Sequence, residues 1–254
     1  VLDPDAAPAS TAVDDAGTRH ELTPIATPDA LGRIRAAVAA APLVLADGHH
    51  RFETACAYRD EHPDDPAAQA IMTFVVGLDD DQLDVRAIHR LAHGAPPDLR
   101  ARLGGLVDLQ DAGPNTPDGV RNLTTQMSQR GALGLVDRDG LALLTPTALA
   151  VEHISRELPT ELRDVDAARF DVCVRPALQD ADLSYRDDAL TVASMVEKGV
   201  ADVAVLLRPV TVAQIRAAAF ARIRMPEKTS YFSPKPRTGM VFRRLDDDAT
   251  GASG

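Results

Sequence analysis

The sequence predicts an α+β fold in which strands and helices are mixed along the chain. Apolar residues recur at helical spacing over residues 120–129. Two apolar runs within 132–144 flank the turn Asp137-Arg138-Asp139-Gly140, a pattern typical of a β-hairpin. A short apolar run at 203–207 precedes a helix that Thr211 would cap. With 254 residues, 45% of them hydrophobic, the chain can form one large domain or two smaller ones.

Local signals predict the remaining elements in order. Thr27 and Pro28 mark the start of a helix that ends near Pro42. The short apolar runs at 43–46 and 70–78 predict buried strands, and the second would form a hairpin with a strand over 85–91. Helices are also expected over 52–61, 97–110, 120–129, 163–178 and 187–199, loops over 62–66 and 111–118, and a short strand over 239–242.

Composition shifts predict the domain organisation. Residues 1–26 are rich in Asp, Ala, Pro and Thr and lack an apolar period, so we expect a loop or the remnant of a missing N-terminal part. One domain is expected over 27–245, with a candidate sub-boundary near 111–118, where Gly, Pro and Asn concentrate. Residues 246–254 are expected to be a disordered tail.

Charge and cysteine content narrow the expected partners. The net charge of −11 should repel nucleic-acid backbones and anionic lipids, so neither is expected as a partner, and the oligomeric state stays open. Cys56 and Cys173 lie far apart in helix-like apolar patterns, which indicates buried, reduced thiols rather than a disulfide. No signal segment or run of about 18 apolar residues is present, and we expect a cytoplasmic protein.

The cluster Asp47-Gly48-His49-His50-Arg51 is the best candidate for chemistry. It lies between an expected strand end and an expected helix start, where unpaired N–H groups and the helix dipole favour anions. Arg51 adds donors suited to phosphate, and the histidines and the aspartate can transfer protons. The alternative is a solvated turn in which Asp47 only caps the helix.

A second basic segment lies near the C-terminus. Residues 224–241 contain three prolines within a run that includes Lys228, Lys235 and Arg237. Because proline excludes a regular helix, this segment is either a rigid loop that brings cations to an anion or a basic tail over an acidic body.

These two segments resemble the signatures of a known family. Residues 47–55, with 57–61 after them, resemble the DGHHR-x-x-TA signature of the domain of unknown function 1015 family, and 225–235 resemble its MP-x-KTSYF signature. Residues 88–91 fit the family's intervening strand, and the resemblance spans about 18–245. Members are usually longer at the N-terminus, so the chain resembles their middle and C-terminal parts.

The Asp-Gly-x-His-Arg core also resembles, more distantly, the glycine–arginine box of the ParB/sulfiredoxin superfamily, which includes nucleotide-using proteins and free-serine kinases. This resemblance implies a ParB/sulfiredoxin-like strand–turn–helix core with additional hairpins and helices. It also implies that Asp47 acts as the base on a substrate hydroxyl, and that His50 and Arg51 hold phosphate.

The favoured hypothesis is a nucleotide-dependent phosphotransferase, such as a kinase acting on free serine, with ATP or ADP and Mg²⁺. Its candidate catalytic residues are Asp47, His49, His50 and Glu53. Its candidate phosphate- or nucleotide-binding residues are Gly48, His50, Arg51, Thr54, His89, Arg90, Lys228, Ser230, Tyr231 and Lys235. Alternatives are a metal-dependent hydrolase or phosphatase with Asp47, His49, His50 and His89 as ligands, and a non-catalytic nucleotide-binding regulator.

Overall fold

A computed structural model describes residues 8–15 and 17–245, and the α+β class is confirmed. The chain divides into two compact units, Val1–Gly77 with Pro234–Gly254 and Leu78–Ser233. Every strand pair in the described chain is antiparallel. The tail expected over 246–254 lies outside the described residues.

The first unit holds one hairpin and two longer helices. Its elements are β1 (Ser10–Val13), β2 (Arg19–Leu22), α1 (Pro28–Ala39), α2 (His49–Glu61) and a 3₁₀ helix at Pro66–Gln69. The predicted start of α1 is confirmed, with Thr27 as N-cap and Pro28 as the first residue. The expected loop over 1–26 is corrected, because β1 and β2 pair within it through backbone hydrogen bonds that need no apolar period.

Two expected strands are absent from the first unit. Residues 43–46 and 70–77 have no strand structure, and their apolar side chains are largely exposed. Leu43 is 62% exposed and Phe74 is 69% exposed. A strand needs a hydrogen-bonding partner, and neither segment has a strand partner among the described residues, so the predicted buried strands and their hairpin are wrong.

The second unit is built on a six-stranded sheet with helices on both faces. The strands of the unit are β3 (Asp84–Arg86), β4 (His89–His93), β5 (Val107–Gly113), β6 (Leu133–Asp137), β7 (Gly140–Pro146), β8 (Asp182–Arg186), β9 (Val203–Leu206) and β10 (Tyr231–Ser233). Of these, β3 and β10 pair in a separate two-stranded sheet, and the others form the six-stranded sheet. Its helices are α3 (Leu99–Leu103), α4 (Pro117–Arg130), α5 (Ala148–Glu157), α6 (Asp166–Cys173), α7 (Arg175–Leu178), α8 (Ala189–Glu197) and α9 (Val212–Phe220). A 3₁₀ turn occupies Thr160–Leu162.

Several predictions from local signals are confirmed in the second unit. The hairpin over 132–144 is β6 and β7, and α4 covers the helix expected over 120–129. The helical segments expected over 163–178 and 187–199 are also present. Thr211 caps α9 through a capping box with Gln214, as its position before the apolar period indicated.

Other predicted element boundaries are wrong, because strands in these segments pair with strands that are far away in the sequence. The single strand expected over 85–91 is two strands, because β3 pairs with β10 whereas β4 joins the six-stranded sheet. The helix expected over 97–110 ends at Leu103, because β5 pairs with β7. The candidate boundary near 111–118 falls between β5 and α4, inside the second unit, and 239–242 is not a strand.

The six-stranded sheet, in the order β5-β7-β6-β9-β4-β8, is apolar on both faces. Alternate residues of β7 and β9 point to opposite sides, so Leu144 packs with one cluster and Leu143 with the other. Helices α4 and α8 cover one face, and α3, α5, α6, α7 and α9 cover the other. This burial explains why the inner strands β6, β7 and β9 read as largely continuous apolar runs rather than alternating ones.

A buried ion pair joins the end of β9 to the start of α6. Asp166 has a side chain only 2% exposed, and its carboxylate accepts from the Arg208 guanidinium and from the Arg208 backbone N–H at 2.7 Å. Asp164 contacts the same guanidinium at 3.0 Å but is 63% exposed. Burial lowers the pKa of Arg208, but the hydrogen bonds and charge of Asp166 outweigh it and raise that pKa overall.

The expected reduced thiols are confirmed, but only one of the two is fully buried. Cys56 and Cys173 are both free thiols, the first half-buried and the second buried. Burial raises the pKa of Cys173 and keeps its thiol protonated. Within the described residues, each helix is too short or too polar to cross a bilayer.

Candidate functional site

The turn that precedes α2 depends on Gly48. Gly48 is the N-cap of α2 and has a φ of 81°, in the left-handed region that favours glycine. A Cβ atom at this position would lie 2.9 Å from Nη2 of Arg51. The absence of a side chain therefore lets the Arg51 guanidinium lie over the turn.

Lys235 completes this site from a distant part of the sequence. Its ammonium contacts the Asp47 carboxylate at 2.5 Å, and Nη2 of Arg51 lies 4.0 Å from the same oxygen. The other Asp47 oxygen accepts the Gly48 N–H at 2.8 Å. Two cations and a helix N-terminus therefore converge on one carboxylate, which leaves excess positive charge for an anion. Residues 47–51 with Lys235 are called the α2 site below.

The cations control the protonation of Asp47. Partial burial raises its pKa, but the hydrogen bond and charge of Lys235, the Gly48 N–H and the charge of Arg51 together hold that pKa below its usual value. Asp47 is therefore ionised at neutral pH, and its low basicity suits orientation of a hydroxyl group better than full removal of its proton.

A cavity of about 360 Å³ lies beside Lys235 in the first unit. Its wall also includes Arg237 and Thr238, and His20, whose Nε2 lies 3.1 Å from Asp14 Oδ2. Sequence reasoning missed Asp14 and His20, because they lie in the segment expected to be a loop. The sequence of β2 (Arg-His-Glu-Leu) has no apolar alternation that would predict a strand, although its residues alternate between exposed and half-buried in the structure.

The remaining α2 candidates make contacts within their own helix. His50 Nδ1 lies 3.4 Å from Glu53 Oε2, and the Thr54 hydroxyl donates to the His50 carbonyl at 2.8 Å. His49 is the first residue of α2 and is exposed. These side chains lie at the same helix end as Arg51, but the described contacts do not bring them onto Asp47.

In the second unit, Arg90 anchors the segment that carries Lys228. Arg90 is 3% exposed, and its guanidinium donates to the carbonyls of Ile88, Glu227 and Lys228, the last at 2.8 Å. Lys228 has a φ of 55°, a left-handed conformation that costs a non-glycine residue roughly 1–2 kcal/mol. The Arg90 hydrogen bonds help to hold this strained turn.

Three other candidates in this unit are buried or lie in or next to a strand. His89 is 5% exposed, and its Nδ1 accepts the Leu207 N–H at 3.2 Å. Burial lowers the pKa of His89 to about 4, so its imidazole is neutral at pH 7. Tyr231 belongs to β10, opposite Arg86 of β3, and Ser230 is half-buried just before this strand.

The described residues contain no group of three or more His, Cys, Asp or Glu side chains arranged to hold a metal ion. In particular, the nitrogen of His89 that faces Leu207 is occupied by a backbone N–H. Asp47, His49 and His50, the first-unit members of the ligand set named for the hydrolase alternative, therefore do not form such a group.

Residues 2–168 match a family described as "Protein of unknown function (DUF1015)". The chain belongs to the DUF1015 family. A search of the curated proteins found no significant match to this DUF1015 chain.

Solved structures similar to the DUF1015 chain share little sequence with it. A conserved hypothetical protein from Pyrococcus furiosus is 13% identical, with a TM-score of 0.43, over 74% of this chain and 68% of that one. A free serine kinase in complex with AMP is 13% identical, with a TM-score of 0.44, over 82% and 81%. A mutant free serine kinase in complex with ADP is 14% identical, with a TM-score of 0.43, over 74% and 66%.

Proposed function

We propose that the DUF1015 chain is a nucleotide-dependent phosphotransferase that binds a nucleotide phosphate at the α2 site. The observation that carries the proposal is the convergence of Lys235 and Arg51 on Asp47 at the N-terminus of α2. Phosphoryl transfer needs mainly positioning and neutralisation of charge, which cations and a helix N-terminus supply.

The proposed roles follow from the charges of these side chains. Lys235 and Arg51 would bind phosphate oxygens, and the backbone N–H groups at the start of α2 would donate hydrogen bonds to a further oxygen. Asp47 would orient the hydroxyl of the acceptor, here a small hydroxylated amino acid such as serine. A bound phosphate would compete with Asp47 for Lys235 and so release the carboxylate toward that hydroxyl.

The nucleotide would be ATP or ADP, with Mg²⁺ bound mainly through its phosphates. Lys235 and Arg51 would neutralise the phosphate charge that this ion leaves. The cavity beside Lys235, with Arg237 in its wall, offers space for the part of the ligand beyond the phosphate. The ligands named for the solved structures make AMP and ADP useful probes, whereas the proposal itself depends on the α2 site.

Calorimetric titration with ATP, ADP, AMP and pyrophosphate, each with Mg²⁺, tests the binding step. We expect Arg51→Ala and Lys235→Ala to weaken binding about tenfold or more, because each removes a charge-assisted hydrogen bond. Arg59→Ala, at the other end of α2, is the matched control and should leave affinity within about twofold. Equal affinity in Arg51→Ala and Arg59→Ala would refute the α2 site.

A coupled assay with free serine, which follows ADP release from ATP or AMP release from ADP, then tests the chemistry. We expect Asp47→Asn to lose turnover while it keeps nucleotide affinity, because the amide has no negative charge to orient the acceptor hydroxyl. Nucleotide binding without turnover for any hydroxylated amino acid would instead support the non-catalytic nucleotide-binding alternative.

A further inference from the structure

A cavity of about 480 Å³ lies wholly within the second unit. Two arginines, Arg90 and Arg175, and two acids, Asp171 and Glu227, line it together with the aromatic rings of Phe170 and Tyr185. Its volume falls within the range of about 300–1,000 Å³ typical of small-molecule sites.

Arg90 gives this cavity a fixed positive charge. Its guanidinium lies 5.5 Å from the ring centre of Phe170 and 5.4 Å from that of Tyr185, and backbone carbonyls accept its hydrogen bonds. The side chain is almost fully buried, and its described hydrogen bonds go to backbone carbonyls rather than to a carboxylate. Asp171, which lines the same cavity, acts on Arg90 through its charge without a direct ion pair, so the guanidinium still favours an anion that reaches it.

Arg175 supplies a second cation that is more accessible. It is half-buried, and its Nη1 donates to the Ala181 carbonyl at 3.0 Å, which fixes the guanidinium at the cavity wall. This bond uses one of the five N–H donors of a guanidinium. The planar fork of donors matches the two oxygens of a carboxylate.

The two acids limit which anion fits. Asp171 and Glu227 balance the charges of the two arginines, so a polyanion such as phosphate would be repelled by both carboxylates. A ligand with one negative group and one hydrogen-bond donor avoids this repulsion. Its anionic end can meet the arginines while its donor meets an acid.

We propose that this cavity binds a small organic carboxylate that also carries an ammonium or hydroxyl group, as in an amino acid or a hydroxy acid. The carboxylate contacts Arg175 in the positive potential of Arg90, and the ammonium or hydroxyl donates to Asp171 or Glu227. The aromatic and apolar wall contacts the carbon skeleton. The site does not depend on the α2 site, which belongs to the first unit.

Titration calorimetry with alanine, lactate, propionate and inorganic phosphate tests this assignment. We expect alanine or lactate to bind at least about fivefold more tightly than propionate, and phosphate to bind more weakly than either. Arg175→Gln should weaken alanine and lactate about tenfold or more. The double variant Asp171→Asn with Glu227→Gln should bring these ligands down to the affinity of propionate.

Arg121→Gln is the matched control, because Arg121 is an exposed arginine on α4, which covers the opposite face of the sheet. It should leave every affinity unchanged, and circular dichroism should show that all variants are folded. The proposal is overturned if none of the four probes binds, if Arg175→Gln and Arg121→Gln bind alike, or if phosphate is the tightest ligand.

Discussion

Lys235 and Asp47 form an ion pair across 188 residues of sequence, with the ammonium 2.5 Å from the carboxylate. Both side chains are partly exposed, so the pair adds at most about 1 kcal/mol to stability. Its importance is electrostatic, because it fixes the charge of Asp47 and places a cation at the N-terminus of α2.

Replacement of Lys235 should therefore change the titration of Asp47. We expect Lys235→Ala to raise the pKa of Asp47. Partial burial raises this pKa, and the variant loses the charge and hydrogen bond of Lys235 that oppose the effect of burial. The carboxyl carbon resonance of Asp47, followed by NMR from pH 2 to pH 7, measures this pKa. Lys198→Ala, in the second unit, is the control, and an unchanged Asp47 titration in Lys235→Ala would contradict the described pairing.

Substitution of Gly48 should separate backbone strain from loss of the anion site. Gly48→Ala should cost roughly 1–2 kcal/mol because of its left-handed φ, and should also displace Arg51. Gly17→Ala is a matched control, since Gly17 has a φ of 83° but no atom within 4 Å of the added Cβ. Chemical denaturation should show a similar loss of unfolding free energy in both variants. Nucleotide affinity should fall only in Gly48→Ala. A similar affinity in both variants would contradict the role of Gly48.

His89 should make stability depend on pH. Because its pKa of about 4 in the folded chain is below its unfolded value of about 6.5, the unfolded state binds more protons between these values. This contribution to stability is complete above about pH 6.5 and is lost as the pH falls, by about 3 kcal/mol once the pH is below 4.

Urea denaturation at several pH values, compared with His89→Asn, measures this effect. The asparagine oxygen can accept the Leu207 N–H without a titrating group, so the variant should lose less stability between pH 6.5 and pH 4 than the wild type. Parallel pH profiles for the two proteins would show that His89 is not neutral in the folded state.

The two acids beside Arg208 should differ sharply in their effect on stability. Asp166→Ala should cost about 3–5 kcal/mol, because it leaves the partly buried guanidinium without its main counter-ion. Asp164→Ala should cost less than about 1 kcal/mol, because Asp164 is largely exposed. Thermal or urea unfolding gives both values, and equal losses would contradict the buried pair.

Gly134 should tolerate no side chain, because a Cβ would lie 2.8 Å from Met127 Sδ and 3.2 Å from Leu206 Cβ, where α4 packs on the sheet. Gly134→Ala should therefore cost about 1–3 kcal/mol by overpacking. Gly105→Ala adds a Cβ with no atom within 4 Å and is the control for urea denaturation. Equal stability of the two variants would mean that α4 packs less closely than described.

Local sequence signals predicted those elements whose partners are close in sequence. The hairpin of β6 and β7 and the capped helix α9 needed only a turn or a cap that adjoins an apolar pattern. The exposed run at 43–46 shows the limit of this reasoning, because apolar composition identifies neither a strand partner nor burial. The split of 85–91 likewise depends on β10, which is far away in sequence.

The candidate site follows the same rule. The signal at residues 47–51 is local, because a glycine, an arginine and a helix start are adjacent. The sequence also indicated Lys235 as a cation for an anion, but its pairing with Asp47 is set by tertiary structure. Phosphate binding by the candidate residues in the second unit stays a prediction.

The first unit is assembled from two stretches of chain that flank the whole second unit. During synthesis the ribosome therefore releases residue 47 long before residue 235, and the second unit can fold in the interval. The second unit then acts as the loop that connects the two stretches of the first unit. The closer its two ends lie after folding, the less entropy the chain loses when Lys235 reaches Asp47. The order of translation thus makes the ion pair a late event, because a nascent chain can complete its anion site only after Lys235 has left the ribosome.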